Sequence, residues 1–273
     1  MRTHPRPALG RLARLRRLLV CALLPLADCS APDYTPVGDW AGTASLAADY
    51  PPVARRPSGA PRAVAPYATP EPSDAGVRAM QEGLAAYLSA LGRLANDVLL
   101  PYREDPFLAL VPPAAATSQS GGEAIATLGT LLRRATRNNS RAPEMRETIT
   151  AADPAVQKLI EALGQAVAEP EAAEAAMRRD EAEQYAQMAA ATRDPALRRT
   201  ILEWAALRDG EAAAQAASRA EYRRIIAGIG ASHAMLNANV ARITEQETVQ
   251  RIRLAQDVLR RAARALPRGA GDT

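Results

Sequence analysis

Histidine, cysteine, lysine and large aromatic rings are all scarce in this chain of 273 residues. The histidines are His4 and His233, the cysteines Cys21 and Cys29, and the one lysine is Lys158; aromatic residues make up 4% of the whole. The histidine shortage removes whole classes of metal chemistry. A di-iron helical bundle needs Glu-x-x-His pairs on facing helices, and a zinc protease needs His-Glu-x-x-His. A single histidine beyond position 4 supplies neither. No Gly-rich phosphate loop ending in Lys-Ser or Lys-Thr occurs, and no Gly-x-Ser-x-Gly elbow. A Ser-His-Asp triad would have to recruit His233. No cofactor and no metal are therefore expected, and an enzyme ranks last among the functional classes.

Long apolar runs are missing as well. Leu18–Leu26, about nine residues interrupted by Pro25, falls well short of the about 20 that cross a bilayer. It follows the Arg-rich stretch Met1–Arg17, and the combination of positive flank, short apolar core and small residues reads as a secretory signal peptide. The run closes Leu26-Ala27-Asp28-Cys29. This resembles the lipobox of bacterial lipoproteins, with Asp28 where Gly, Ala or Ser is usual. The resemblance implies cleavage before Cys29, acylation of Cys29, and a membrane partner through that lipid. Ser30 after the cysteine resembles an outer-membrane sorting signal, which implies a protein of the cell envelope facing the periplasm. The alternative is an ordinary signal peptide and a secreted periplasmic protein. If Cys21 leaves with the leader and Cys29 is acylated, no disulfide and no thiol nucleophile is left.

The formal charge of +4 would invite a nucleic-acid partner. Six arginines against Asp28 give residues 1–28 a charge of +5, which leaves −1 for the rest. The basicity belongs to the leader, and no nucleic-acid partner is expected.

What is abundant is alanine, the best helix former, and helical periodicity. Residues 29–75 read as a Pro/Ala-rich tether, with Pro51, Pro52, Pro57, Pro61, Pro66, Pro70 and Pro72 holding it extended. Tyr34, Trp40 and Tyr50 are unusual for a linker, and their docking on a folded body is the favoured explanation. Residues 76–169 make an N-terminal helical part. Val77, Met80, Leu84, Tyr87, Leu91, Leu94 and Val98 step by three and four, a heptad stripe that suits one core face of a bundle. It also suits a coiled-coil seam between copies of the chain, so a homo-oligomer is a candidate assembly. Residues 101–120 form an apolar connection expected to lie over the bundle end, with a ligand lid as the alternative. A third segment runs from Gly122 to Arg137 with Ile125, Leu128, Leu131 and Leu132 inward, and Asn138-Asn139-Ser140 breaks it. Asp153-Pro154 is expected to start the next helix, and Pro170 the one after.

The longest regular tract runs from Pro154 to Leu266; residues 170–268 hold the C-terminal helices and hairpin, followed by a tail at 269–273. Asp194-Pro195 opens a helix in which Leu197, Ile201, Trp204, Tyr222, Ile225, Ile226 and Ile229 recur at helical spacing. It is expected to run to about Arg242 despite Gly210, Gly228 and Gly230, with Trp204 facing another helix. Thr244–Glu247 reads as a turn, and Val249, Ile252, Leu259 and Leu266 mark a second amphipathic helix. A short turn between two such helices makes an antiparallel hairpin. The expected fold is all-α, a helical bundle with a long C-terminal antiparallel helical hairpin.

His233 and Asn237 lie four apart on one helical face and are the candidate polar contact for a ligand or partner, against an interhelical hydrogen bond or an exposed side chain. Arg133, Arg134, Arg137, Arg141 and Arg146 form the densest basic patch, suited to lipid headgroups or to an acidic partner unless it is a solvated face. Glu171, Glu174, Asp180, Glu181 and Glu183 read as a solvated face beside Arg178 and Arg179. These features favour a lipid-anchored helical body acting through contacts with a protein partner. A module that binds a small apolar molecule or lipid is the alternative.

Overall fold

Spacing of apolar residues at three and four decides this architecture. The computed structural model describes residues 32–49 and 72–266, and among these every regular element is helical. The chain forms the all-α helical bundle expected of it. Its helices are α1 (Thr35–Ala48), α2 (Pro72–Ala95), α3 (Val111–Thr117), α4 (Gln119–Arg137), α5 (Met145–Ala168), α6 (Glu171–Ala191), α7 (Pro195–Ala238) and α8 (Gln246–Ala265). They belong to one compact unit that starts at Tyr34. The expected leader and Cys29, Tyr50, the prolines at 51–70 and the tail from 267 lie outside the described residues.

The core layer is built by α1, α2, α5 and α7, with α8 against α1 and α7 and α4 against α5. In α2, Met80, Leu84, Tyr87, Leu91 and Leu94 are buried as the heptad stripe requires. Val98 departs from it. The helix stops at Ala95, Asp97 takes a left-handed φ of 56°, and Val98 is exposed. Ser118 caps α4 by accepting from the Gly121 amide at 3.3 Å. At the other end Asn139 takes φ 50°, as the Asn138-Asn139 break implies. The connection read over 101–120 is shorter, because Val111–Thr117 is helical and α4 begins at Gln119; the segment before them tucks Phe107 into the core and leaves Leu108 exposed.

Two further expectations are corrected. The stretch 35–48, read as part of an extended tether, is a helix with Val37, Trp40, Ala41, Ala44 and Ala48 buried in the core. It carries the docking of Tyr34 and Trp40 that their size suggests, because the surface each ring buries outweighs the order imposed on a small-residue backbone. Pro154 starts no helix but sits inside α5. Met145, Ile149, Ala152, Val156, Leu159, Leu163 and Val167 are buried along one continuous face on both sides of it. Burial along that single axis outweighs the about 3 kcal/mol that an interior proline costs.

The long helix is continuous over 44 residues, past all three glycines. Its C-terminal half packs in the bundle, and α8 folds back beside it as a hairpin. Its N-terminal half packs on α6 instead, so two hairpins share one helix.

Candidate functional site

The buried layer at the bundle centre is polar. Asp153 of α5 accepts from His233 Nδ1 at 2.7 Å and from Gln157 Nε2 at 3.1 Å, and its second oxygen accepts from Asn237 Nδ2 at 3.2 Å. Gln157 Nε2 also donates to the carbonyl of Gly230, at 3.0 Å. His233 Nε2 lies 2.8 Å from the Tyr87 hydroxyl of α2. A neutral imidazole with its proton on Nδ1 satisfies both neighbours, donating to Asp153 and accepting from Tyr87. Trp40 of α1 closes the layer. Its ring centroid is 6.4 Å from that of His233, and its Nε1 donates to Ser232 Oγ at 3.1 Å. One layer thereby fastens four helices.

The electrostatics follow from this geometry. The hydrogen bond from His233 does most to hold the Asp153 carboxyl below the usual carboxylate range, with Gln157 and Asn237 adding to it against a desolvation penalty. Burial pushes the Tyr87 hydroxyl well above its ordinary value, and the Asp153 charge adds to that. The order carboxylate, imidazole, hydroxyl is that of a proton relay. Here, however, His233 is 0% exposed, and neither the groove between α5 and α7 nor the smaller one beside Pro154 and Lys158 is lined by these residues. The layer is a satisfied network that sets helix register.

Of the readings open for His233, the arrangement is that of an interhelical hydrogen bond, because a side chain with no exposed surface touches only its own fold. Asn237, half-buried, is spent on Asp153. Sequence reading missed Asp153, Tyr87 and Trp40 as their companions. Asp153 before Pro154 reads locally as a helix start, so nothing in the linear order marked it as a buried partner.

The exposed chemistry lies on the arm made by α6 and the first half of α7. Ala189 is the buried residue of α6, and none is buried between Pro195 and Ser218. Arm construction is largely electrostatic. Glu174 holds the buried Arg219 through both its oxygens, Glu171 meets Arg223 at 3.2 Å, and Glu181 meets Arg208 at 3.3 Å. At the tip, Asp194 caps α7 by accepting from the Ala196 amide at 2.8 Å. Arg198 returns to the last carbonyls of α6, donating to Ala189 at 3.1 Å and to Thr192 at 2.7 Å. Two of the acidic residues read as a solvated face, Glu171 and Glu174, thus root the arm.

The structure overturns the expected burial of Trp204. That ring is 54% exposed, and Leu197 and Leu207, seven before and three after it, are 51% and 54% exposed. They form one stripe along the outer face of α7, with Met177 and Met188 of α6 also exposed. The helix turns Ile201, Ala205 and Arg208 toward α6 instead. At the root of the arm a groove of about 630 Å³ opens between α5 and α7, with Ile160, Gly164, Ala168, Ile226 and Ala227 on its walls and Arg223 beside it. No known protein family, no curated protein and no solved structure matches this chain.

Proposed function

We propose that this chain is a non-enzymatic lipoprotein of the cell envelope, acylated at Cys29, whose helical body holds out the α6/α7 arm to a protein partner. The observation that carries the reading is the stripe Leu197, Trp204 and Leu207. Its large apolar side chains have been left in water along a helix that is firmly rooted by Arg219 and Glu174. Tryptophan is among the residues that most often dominate binding energy at protein interfaces. The polar layer around His233 supports a structural scaffold, because its polar groups are spent on one another. The leader and Leu26-Ala27-Asp28-Cys29 support the address.

Two measurements test this. A clickable palmitate analogue should label the wild type and not Cys29→Ala, and absence of label in the wild type refutes the anchor. A photo-crosslinking residue at position 204 should give one discrete adduct in envelopes, while one at Glu161, on the wall of the groove, should not. Equal crosslinking at both positions refutes the arm as the contact.

A second reading has its own observation. The groove at the root of the arm has the volume of small-molecule sites. An apolar molecule lying on Gly164 and Ala168 would make the protein a ligand-binding module, which crosslinking from position 161 to a small lipophilic probe would reveal.

A further inference from the structure

The basic patch plays no part in the arm, and the fold gathers it at one end of the bundle. Trp40 meets Ser232 and Tyr222 donates to the Ala48 carbonyl, so α1 and α7 run antiparallel. The C-terminal end of α7 thus lies at the level of Tyr34, where α1 begins. Arg146 stands over the Tyr34 ring, 5.7 Å from its centroid. Arg141 donates to the Asp97 carbonyl at 3.0 Å, which brings the end of α2 and the segment after α4 to the same place. Arg134 and Arg137, on the last turn of α4, are exposed, and neither is in a salt bridge among the described residues. Val98 and Leu99, next to Asp97, are exposed at this end too.

Two of the carboxylates at this end meet arginine side chains. Asp97 faces Arg141, Glu144 accepts from the Arg141 amide, and Glu247 pairs with Arg251. Glu147 and Glu245 are exposed, and Arg134 and Arg137, paired with no carboxylate among the described residues, stand at the end of α4.

We infer that this end of the bundle is a membrane-docking face, with Arg134 and Arg137 set against anionic lipid headgroups and Val98 and Leu99 at the headgroup boundary. The inference rests on the acylation of Cys29 proposed above. Cys29 precedes Tyr34 by five residues, and at roughly 3.5 Å per residue that stretch spans at most about 18 Å. An acyl anchor there keeps the Tyr34 end within that reach of the bilayer. Arginines beside an anionic surface each contribute about fivefold in binding. The same geometry sends the arm away from the membrane. Helix α7 is 44 residues long, so its tip stands about 66 Å from its membrane end and Trp204 about 50 Å from it. Its partner is then reached in the aqueous space beyond the headgroups.

The test uses the acylated protein purified from membranes, with acylation established by mass spectrometry. It carries a fluorophore on Leu99→Cys or, separately, on Arg193→Cys at the arm tip. Each is reconstituted in vesicles of phosphatidylcholine alone or of phosphatidylcholine and phosphatidylglycerol in equal parts, with a headgroup spin-labelled lipid as quencher. The label at 99 should be quenched, more strongly with phosphatidylglycerol and less in high salt, while the label at 193 should not. Arg134→Glu/Arg137→Glu should weaken the phosphatidylglycerol-dependent part by at least about 25-fold, and Arg134→Gln/Arg137→Gln by less. In an acylated protein, equal quenching at both sites, or quenching indifferent to phosphatidylglycerol, overturns the docking face and leaves the anchor standing. A protein without acyl chains overturns the anchor and this inference together. Unchanged quenching with loss of a co-purifying acidic protein overturns it in favour of a protein interface.

Discussion

Replacing His233 with alanine is the sharpest probe of the buried layer. The change removes the donor to Asp153 and the acceptor for the Tyr87 hydroxyl at once. Asp153 keeps Gln157 and Asn237 and is 17% exposed, so its charge is not abandoned. Tyr87 is fully buried and would be left without its acceptor, which by itself costs about 1–3 kcal/mol. Losing a hydrogen bond to a charged group adds about 1.5–3 kcal/mol, and the donors that remain on Asp153 put this part near its lower limit, so the two losses together come to about 3 kcal/mol. For a body of this size each kcal/mol moves the melting temperature by about 2–4 °C, so His233→Ala should melt about 6–12 °C lower. Trp204→Ala, at an exposed site, should stay within about 0.5 kcal/mol. Thermal unfolding followed by circular dichroism measures both. A cycle with Tyr87→Phe should show non-additivity between His233 and Tyr87, of about 0.5–3 kcal/mol. If Trp204→Ala proves the more damaging substitution, or if the cycle is additive, the assignment of the buried layer and the exposed arm is wrong.

The acid limb of stability should depend on Asp153. Its folded pKa lies below the unfolded value of about 3.9, so its contribution is present above that pH and is lost as pH falls through the folded value. Asp153→Asn should therefore be less stable at neutral pH and show a flatter loss on acidification, and an unchanged acid slope in denaturant titrations would contradict this. Two glycine substitutions should act in opposite directions. A Cβ at Gly210 meets nothing within 4 Å, and Gly210→Ala should raise stability by up to about 1 kcal/mol. A Cβ at Gly122 would fall 2.6 Å from Ala115 Cβ and 2.9 Å from its Cα, so Gly122→Ala should push α3 from α4 and lower the melting temperature. Arg219→Ala should loosen the root of the arm: amide hydrogen exchange should rise in α6 while α1 and α2 stay protected, and uniform protection would show that the ion pair does not hold the arm.

Local rules accounted for a large part of this molecule. The stripe from Met80 to Leu94, the break at Asn138-Asn139, the Asp194-Pro195 start and the continuity of α7 past its glycines could all be read from spacing, capping and propensity. These are interactions within a few residues, so the linear order contains them. The same holds for the shortage of histidine, which left His233 as the one side chain worth following beyond position 4.

Burial of particular side chains could not be read that way. Trp204 and Tyr222 sit on the same helix with equally regular apolar neighbours, yet one faces water and the other the core. The difference is that the C-terminal half of α7 has α1 and α5 beside it and the N-terminal half has only the thin, ion-paired α6. Likewise, Trp40 in a proline-rich region and Asp153 before a proline carry no local mark of meeting His233, because 193 and 80 positions separate them from it. Helical class, helix ends and amphipathic spacing are properties of neighbours in the chain, and the sequence alone determined them. Which faces met, which stayed bare and how four helices came to share one buried polar layer depended on contacts between distant segments. Only the tertiary structure, by closing those segments on one another, decided them.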